Sequence, residues 1–321
     1  MKLFESQISS ADIEKIDEVL RTGQLGFGAN VPKFENKYSS FSQKKYNVAT
    51  NSASAAAFMI FAYLYEQHGI CDVYTTSLGF TSPAWCARHH GHNLIFVDVQ
   101  NDLQFSSAHY KNIRQVSTNQ VVIMPVLYGG VSTIENFELV GDEIVVVDSA
   151  HCATPTIAAD YLFFSFHPYK PICTSDGGMI STNCEESDAY FRSYRNFGRT
   201  PTDTAYDISQ QGFKFYMNNL NATIGLTQLP HYQSQVASRK AVYEEWAKIY
   251  PLLSHDDNSS YYFATALVDN ANELLNTIGV SRHYPMLHQT TYYGRSRKIS
   301  LPRLEGLHSK ILNLPLYKEK I

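Results

Sequence analysis

Short apolar runs recur along this chain at intervals that each hold about one helix, and this spacing constrains the fold more than any other feature. Tyr46–Thr50, Val73–Ser77, Leu94–Val97, Val121–Val126, Ile144–Val147 and Tyr161–Phe166 read as strands. Helical patterns stand between several of them, as in Phe58–Tyr63 behind the small residues Ser52, Ala53 and Ser54. Strand and helix in alternation give βα units, hence an α/β fold with a mostly parallel sheet covered on both faces. Ligands in such sheets sit beyond the carboxyl ends of the strands. The polar residues just after each run are therefore the candidates for chemistry.

The stretch from Val145 to Gly178 carries the most of them. It reads Val-Val-Val-Asp148-Ser-Ala-His151, then Phe-Phe-Ser165-Phe-His-Pro-Tyr-Lys170, then Thr-Ser-Asp176-Gly177-Gly178. A carboxylate ends one strand and a lysine follows the next. A desolvated lysine amine can form a Schiff base with an aldehyde. Pyridoxal phosphate needs such a lysine, and an acid that keeps its ring nitrogen protonated so that the ring acts as an electron sink. Lys170 and Asp148 suit those two roles, and Ser165 offers a hydroxyl to the phosphate. Taken singly, each residue has a plainer reading: Asp148 as a turn or cap, Lys170 as a solvated loop residue, Gly177-Gly178 as a turn. Their order and spacing together favour the cofactor. Upstream, Ser52-Ala53-Ser54 lies at a strand-to-helix turn, where the first amides of the helix are unpaired and suit a phosphate. Ser52 also reads simply as an N-cap.

The chain resembles the DegT/DnrJ/EryC1/StrS family of nucleotide-sugar aminotransferases. The resemblance rests on Asp148-Ser-Ala-His151 for the family's Asp-x-Ala-Gln/His, on Phe-Ser165-Phe-x-x-x-Lys170 followed by Gly-Gly, and on Gly23-Gln-Leu-Gly26-Phe27-Gly28 ahead of Phe34-Glu35. It also rests on Gly212-Phe-Lys214-Phe-Tyr216-Met, on Gly279-Val-Ser-Arg-His283-Tyr284-Pro and on the closing Leu-Pro-Leu-Tyr317. It implies fold type I, the aspartate aminotransferase-like fold, with a large cofactor-binding domain (1–211) and a smaller C-terminal α/β domain (212–321). It implies Lys170 as the catalytic lysine, with Ser52, Ala53, Ser54, Phe80, Asp148, His151, Ser165 and Lys214 around the cofactor. Phe80 would stack on the pyridine ring, and His151 would bond its ring oxygen. Lys214 would reach across a homodimer to the partner's cofactor phosphate. Phe27, Tyr216, His283 and Tyr284 fall where the family binds substrate. The implied reaction moves an amino group from glutamate to a keto-sugar linked to a nucleotide, for deoxyamino-sugar and surface polysaccharide biosynthesis. One branch of the family also carries Lys at position 214 and His at position 151. This chain departs from the pattern in a short Asp148-to-Lys170 interval, in Leu127 where His is usual, in Tyr216 where Arg or Asn is usual, and in lacking a final helix after Tyr317.

Composition narrows the alternatives. The chain has 321 residues, 26 basic and 30 acidic, for a net charge of −4, so no broad basic field for nucleic acid is implied. Five cysteines without a Cys-x-x-Cys pair argue against a disulfide framework and a zinc ribbon. His89, His90 and His92 have no spacing for a closed zinc site and read as a polar helix end, so no metal is expected. No signal-peptide core and no membrane-spanning run is visible, so a cytoplasmic enzyme is expected. Two other functions remain to be weighed. A sugar dehydratase of the same family replaces the lysine with His, which Lys170 disfavours. A non-catalytic regulator would have no need to keep Asp148, Ser165 and Lys170 together.

Overall fold

In a computed structural model of the chain, which describes residues 8–114, 116–203, 205–275, 279–294 and 299–317, the apolar runs line up side by side. Helices α1 (Ser10–Thr22) and α2 (Asn30–Ser42) precede β1 (Tyr46–Thr50). Then come α3 (Ala53–His68), β2 (Asp72–Thr76), α4 (Thr81–His89), β3 (Asn93–Val97), α5 (Ser107–Ile113), β4 (Val121–Met124), β5 (Ile144–Asp148), β6 (Tyr161–Ser165) and β7 (Gly178–Thr182). The strands form one seven-stranded sheet in the order β1-β7-β6-β5-β4-β2-β3. All neighbours from β6 to β3 pair in parallel, and β7 alone runs against β1 and β6. This is the mostly parallel sheet that the spacing predicts.

Alternation along each strand splits the core between the two faces. Val145 and Val147 of β5 pack with Phe34 and Tyr38 of α2, whereas Val146 packs with Met59, Ile60 and Phe61 of α3. Helix α3 is apolar nearly all round because it is buried nearly all round.

The chain continues through α6 (Glu185–Tyr194), β8 (Arg199–Pro201), β9 (Tyr206–Ile208), α7 (Asn219–Gln228) and α8 (Tyr232–Trp246). It closes with β10 (Ala264–Leu267), α9 (Ala271–Leu274), α10 (Pro302–His308) and β11 (Ile311–Leu314). Strands β10 and β11 pair antiparallel and share an apolar core with Val242, Tyr243 and Trp246 of α8.

Four local expectations differ from what is found. The polar stretch 200–211, expected to be a mobile loop, holds the β8–β9 hairpin, pinned by the Arg199 guanidinium 4.3 Å from the Tyr206 ring centroid. The helix expected at 235–250 begins at Tyr232 and ends at Trp246. The strand expected over Tyr261–Val268 is regular only from Ala264, because Tyr261 takes a positive φ of 46° and turns the chain. Of the helix expected over Asn272–Thr277, α9 covers the part up to Leu274, and residues 276 and 277 lie outside the described residues.

Two buried polar contacts tie the C-terminal elements to the sheet. Asp98, just past β3, accepts the amides of Arg303 and Leu304 at 2.9 and 2.8 Å and so caps α10. Ser77, just past β2, meets His288 Nδ1 at 2.7 Å, and His288 Nε2 lies 3.1 Å from Glu305. This Ser–His–Glu chain has the connectivity of a hydrolytic triad, but Ser77 is wholly buried and can meet no substrate. It is a fastening. Among the described residues no helix is long and apolar enough to cross a membrane.

Candidate active site

Strands β5 and β6 end side by side, in register Val147↔Leu162 and Asp148↔Phe163, and each delivers one charged group. Asp148 is buried, and its carboxylate accepts the Ala150 amide at 3.0 Å. Burial pushes this carboxyl upward, against the pull of the Ala150 amide and of the nearby Lys170 charge. Lys170 stands in the turn after β6, which its own amide closes onto the His167 carbonyl at 2.8 Å. Burial pushes its amine down, opposed by Asp148 and reinforced by the positive charge of Arg239. Each charge thus favours the ionised form of the other.

A stack of rings surrounds the amine. Lys170 Nζ donates to the Tyr262 hydroxyl at 3.2 Å and lies 4.3 Å from the centroid of that ring. The Tyr262 ring stacks on His151, with centroids 4.1 Å apart and planes inclined by 26°. His151 Nε2 in turn meets the Tyr284 hydroxyl at 2.9 Å. Burial holds His151 well below the usual histidine range, helped by the charges of Lys170 and His283, so the imidazole is neutral. Its Nδ1 is buried and has no hydrogen-bond partner among the described residues. The Phe80 ring, more than half exposed, lies edge-on to Tyr284 at 6.0 Å. His283 stacks on Phe263 at 5.3 Å and bonds Ser281 Oγ through Nδ1 at 2.8 Å.

Beside this cluster, the start of β7 packs against the start of α3, which follows β1. Ser52 caps α3 by accepting the Ala55 amide at 3.1 Å, which leaves the amides of Ala53 and Ser54 at the open end of the helix. The Ser54 hydroxyl meets that of Ser82, in the first turn of α4, at 2.5 Å. Gly178 faces this end so closely that an added Cβ would lie 2.5 Å from the Ser52 carbonyl carbon and 2.6 Å from the Ala53 nitrogen. The β6–β7 register pairs Ser165 with Gly178 and so sets its hydroxyl next to the same helix start.

Lys214, Tyr216 and Phe27 gather at the neighbouring end of β1. Tyr216 bridges Thr50, the Phe215 carbonyl accepts the Asn51 amide at 2.7 Å, and the Lys214 carbonyl accepts Asn51 Nδ2 at 3.2 Å. The backbone of Lys214 is thus docked on its own chain's strand. Phe27 meets Tyr216 edge-on at 5.6 Å, with the buried Arg195 guanidinium 5.2 Å from the Phe27 centroid. The loop bearing Phe27 is fastened at Asn219, which bonds Gly26 through its amide and Gln24 through its side chain. Gly28 fits there because a Cβ would lie 2.5 Å from the Asn219 side chain.

The structure therefore brings the expected residues into two adjoining groups. Asp148, His151, Lys170, Tyr284 and Phe80 form one, and Ser52, Ala53, Ser54, Ser165, Lys214, Tyr216 and Phe27 form the other. The sequence reading missed Tyr262, which arrives from 92 residues beyond Lys170. The Ser-Ser-Tyr-Tyr-Phe run at 259–263 is its only trace, since so dense an aromatic group breaks strand alternation.

Pyridoxal phosphate fits these residues. The orphaned His151 Nδ1 and the buried Asp148 carboxylate both call for partners, and an oxygen and a ring cation would supply them. The glycine-lined mouth of α3 suits a phosphate.

Sheet order, strand directions and this site define a fold of the aspartate aminotransferase type, fold type I. The family model of the DegT/DnrJ/EryC1/StrS aminotransferase family matches residues 6–320, and the chain belongs to that family. It is similar to the spore coat polysaccharide biosynthesis protein SpsC of Bacillus subtilis (strain 168), at 25% identity over 97% of this chain and 90% of that protein. It is also similar to the UDP-4-amino-4,6-dideoxy-N-acetyl-beta-L-altrosamine transaminase of Campylobacter jejuni serotype O:2, at 24% identity over 97% and 91%. Among solved structures, Helicobacter pylori PseC, an aminotransferase involved in the biosynthesis of pseudoaminic acid, superposes with a TM-score of 0.87 at 21% identity over 98% of this chain and 92% of that one. The PLP form of the putative sugar aminotransferase Spr1654 from Streptococcus pneumoniae gives 0.86 at 24% identity over 100% and 94%.

Proposed function

We propose that this chain is a pyridoxal-phosphate-dependent aminotransferase that passes the amino group of glutamate to a keto-sugar carried on a nucleotide, in the making of a deoxyamino sugar for a surface polysaccharide. The observation that carries this reading is the placement of a buried carboxylate, Asp148 at the end of β5, beside a desolvated lysine, Lys170 in the turn after the adjacent β6, each charge felt by the other. The names of the relatives support the sugar as acceptor.

Pyridoxal phosphate, when bound, supplies an aldehyde for an amine and a protonated ring that draws electrons from the carbon being deprotonated. The chain supplies the rest. Asp148 lies in a dry place where a carboxylate is costly unless it faces a cation, so it binds a protonated ring nitrogen and keeps it protonated. His151 offers Nδ1 to a ring oxygen while Tyr284 fixes Nε2. Phe80 covers one ring face. Ser165 and the open amides of Ala53 and Ser54 hold the phosphate, and the Lys214 amine serves as the cation for the phosphate of the other chain in a dimer. Lys170 Nζ takes the proton from the α carbon of the amino donor in the first half, and returns one to the sugar carbon that bears the new nitrogen in the second. Its lowered affinity for protons keeps part of it neutral near pH 7, as a base requires. Phe27, Tyr216, His283 and Tyr284 surround the sugar and nucleotide, and two chains form a dimer that shares its sites.

The test is a panel of 3-keto and 4-keto nucleotide sugars with glutamate, followed by release of 2-oxoglutarate. 2-Oxoglutarate is expected to form continuously, one per aminated sugar, with one keto-sugar of the panel, and to stop at one equivalent per active site without sugar. Cofactor-loaded protein that turns over none of the panel with glutamate contradicts the assigned substrates.

A further inference from the structure

Helix α8 carries a charged side chain that the aminotransferase reading does not use. Arg239 is 3% exposed, far below what an arginine on an amphipathic helix ordinarily shows. Its guanidinium lies 5.0 Å from the Tyr317 ring centroid and donates one hydrogen bond to the Tyr317 hydroxyl. Its Nε is buried and has no acceptor among the described residues. Among the described residues no carboxylate forms an ion pair with it. A buried guanidinium without a counter-anion is costly, and an anion that enters from solvent removes the cost.

There is a place for such an anion. A cavity of about 330 Å³ is lined by Gln235, Ser238, Arg239 and Val242 of α8 together with Leu316 and Tyr317. Lys170, Asp148 and Tyr262 do not line it. The polar group it offers is one planar cation, and Val242 and Leu316 are apolar. A carboxylate matches the guanidinium fork with two parallel hydrogen bonds, and a short hydrocarbon tail matches the apolar walls. A phosphate dianion would bring twice the charge to a single cation and leave oxygens against hydrocarbon.

We propose that this cavity is a binding site for a small monocarboxylate with a short apolar chain, separate from the cofactor site and independent of which sugar the enzyme uses. Occupancy neutralises Arg239. Because the Arg239 charge pushes the Lys170 amine down, a bound carboxylate also lets that amine rise, which couples the cavity to the catalytic lysine.

The probe is butyrate, titrated calorimetrically into full-length, cofactor-loaded protein, with Arg239→Gln and Ser238→Trp beside the wild type. Ser238 lines the cavity and is exposed on α8, so a tryptophan there obstructs the cavity without removing the charge. One saturable site is expected in the wild type, weakened at least tenfold in both variants. Equimolar inorganic phosphate should leave the wild-type titration unchanged. The proposal is overturned if the wild type shows no saturable binding, if both variants bind within twofold of wild type, or if phosphate displaces butyrate. Should Arg239→Gln not fold, Ser238→Trp alone decides.

Discussion

At the residue scale the account rests on two groups that burial pushes toward neutrality. Asp148 is pushed up and Lys170 down, and a ring cation between them would restore the carboxylate to its ionised form. Asp148→Asn keeps the shape and loses the charge. It should still take up pyridoxal phosphate, yet convert glutamate in a single turnover two to three orders of magnitude more slowly, as the loss of an electrostatic contribution of about 3–4 kcal/mol implies. A wild-type rate with cofactor bound would reduce Asp148 to a structural cap. Tyr262→Phe tests the hydrogen bond to Lys170 while keeping the ring stacked on His151. The hydroxyl oxygen accepts from the charged amine and so favours it; without it the amine should lose its proton more readily. The acid limb of cofactor uptake by the apoprotein should move to lower pH by about half a unit to one unit, the equivalent of one hydrogen bond of ~1 kcal/mol. An unmoved limb would leave Tyr262 as packing alone.

At the scale of elements, the site is set by how β7 meets α3. Gly178→Ala would drive a Cβ against backbone at 2.5 Å, and backbone cannot swing aside as the end of a side chain can. We expect a loss of about 1–3 kcal/mol in urea unfolding together with weaker cofactor binding. Cofactor affinity equal to wild type would mean that the mouth of α3 does not hold the phosphate. Ser77→Ala separates fastening from chemistry: it should cost about 1–2 kcal/mol of stability through the lost contact with His288, with turnover per folded molecule unchanged. The strands were legible from their apolar runs and Asp148 from its place directly after one, whereas Lys170, four residues past the next run, was legible through its order and spacing with Asp148 and Ser165 and the family resemblance they carry. Tyr262 was hidden because its place depends on the positive φ at Tyr261, which no strand pattern encodes. The β8–β9 hairpin was hidden because a cation over Tyr206 and paired hydroxyls, not apolar alternation, hold it. Arg239 reads in sequence as one more solvated charge on a helix, and only tertiary packing buries it.

At the scale of the whole molecule, burial of histidines ties stability to pH. His90 and His255 are each pushed down to about 4 by burial. Their folded values lie below the unfolded one, so the folded state binds fewer protons between pH 6.5 and 4. The stability they contribute is whole above pH 6.5 and is lost as pH falls toward 4. Urea unfolding of the apoprotein should therefore weaken from pH 7.5 to 5, with a limit of ~3 kcal/mol for His255 and a smaller share for the partly exposed His90, which solvent screens. His255→Gln should flatten that slope, and an unchanged slope would refute the assignment. The proposed dimer has its own test, since Lys214 is docked by its backbone on its own β1 while its amine is assigned to the partner's phosphate. Mixed dimers of Lys170→Ala with Lys214→Ala chains should regain activity that neither parent shows, and verified mixed dimers without it would place each site within one chain. The central claim, that Lys170 is the residue that holds the cofactor, has the most direct test of all. Cofactor-loaded protein is reduced with borohydride, digested and mapped by mass. The account predicts a single phosphopyridoxyl group, on Lys170, and none in Lys170→Ala; a modified lysine elsewhere, or cofactor that washes free after reduction, would contradict it.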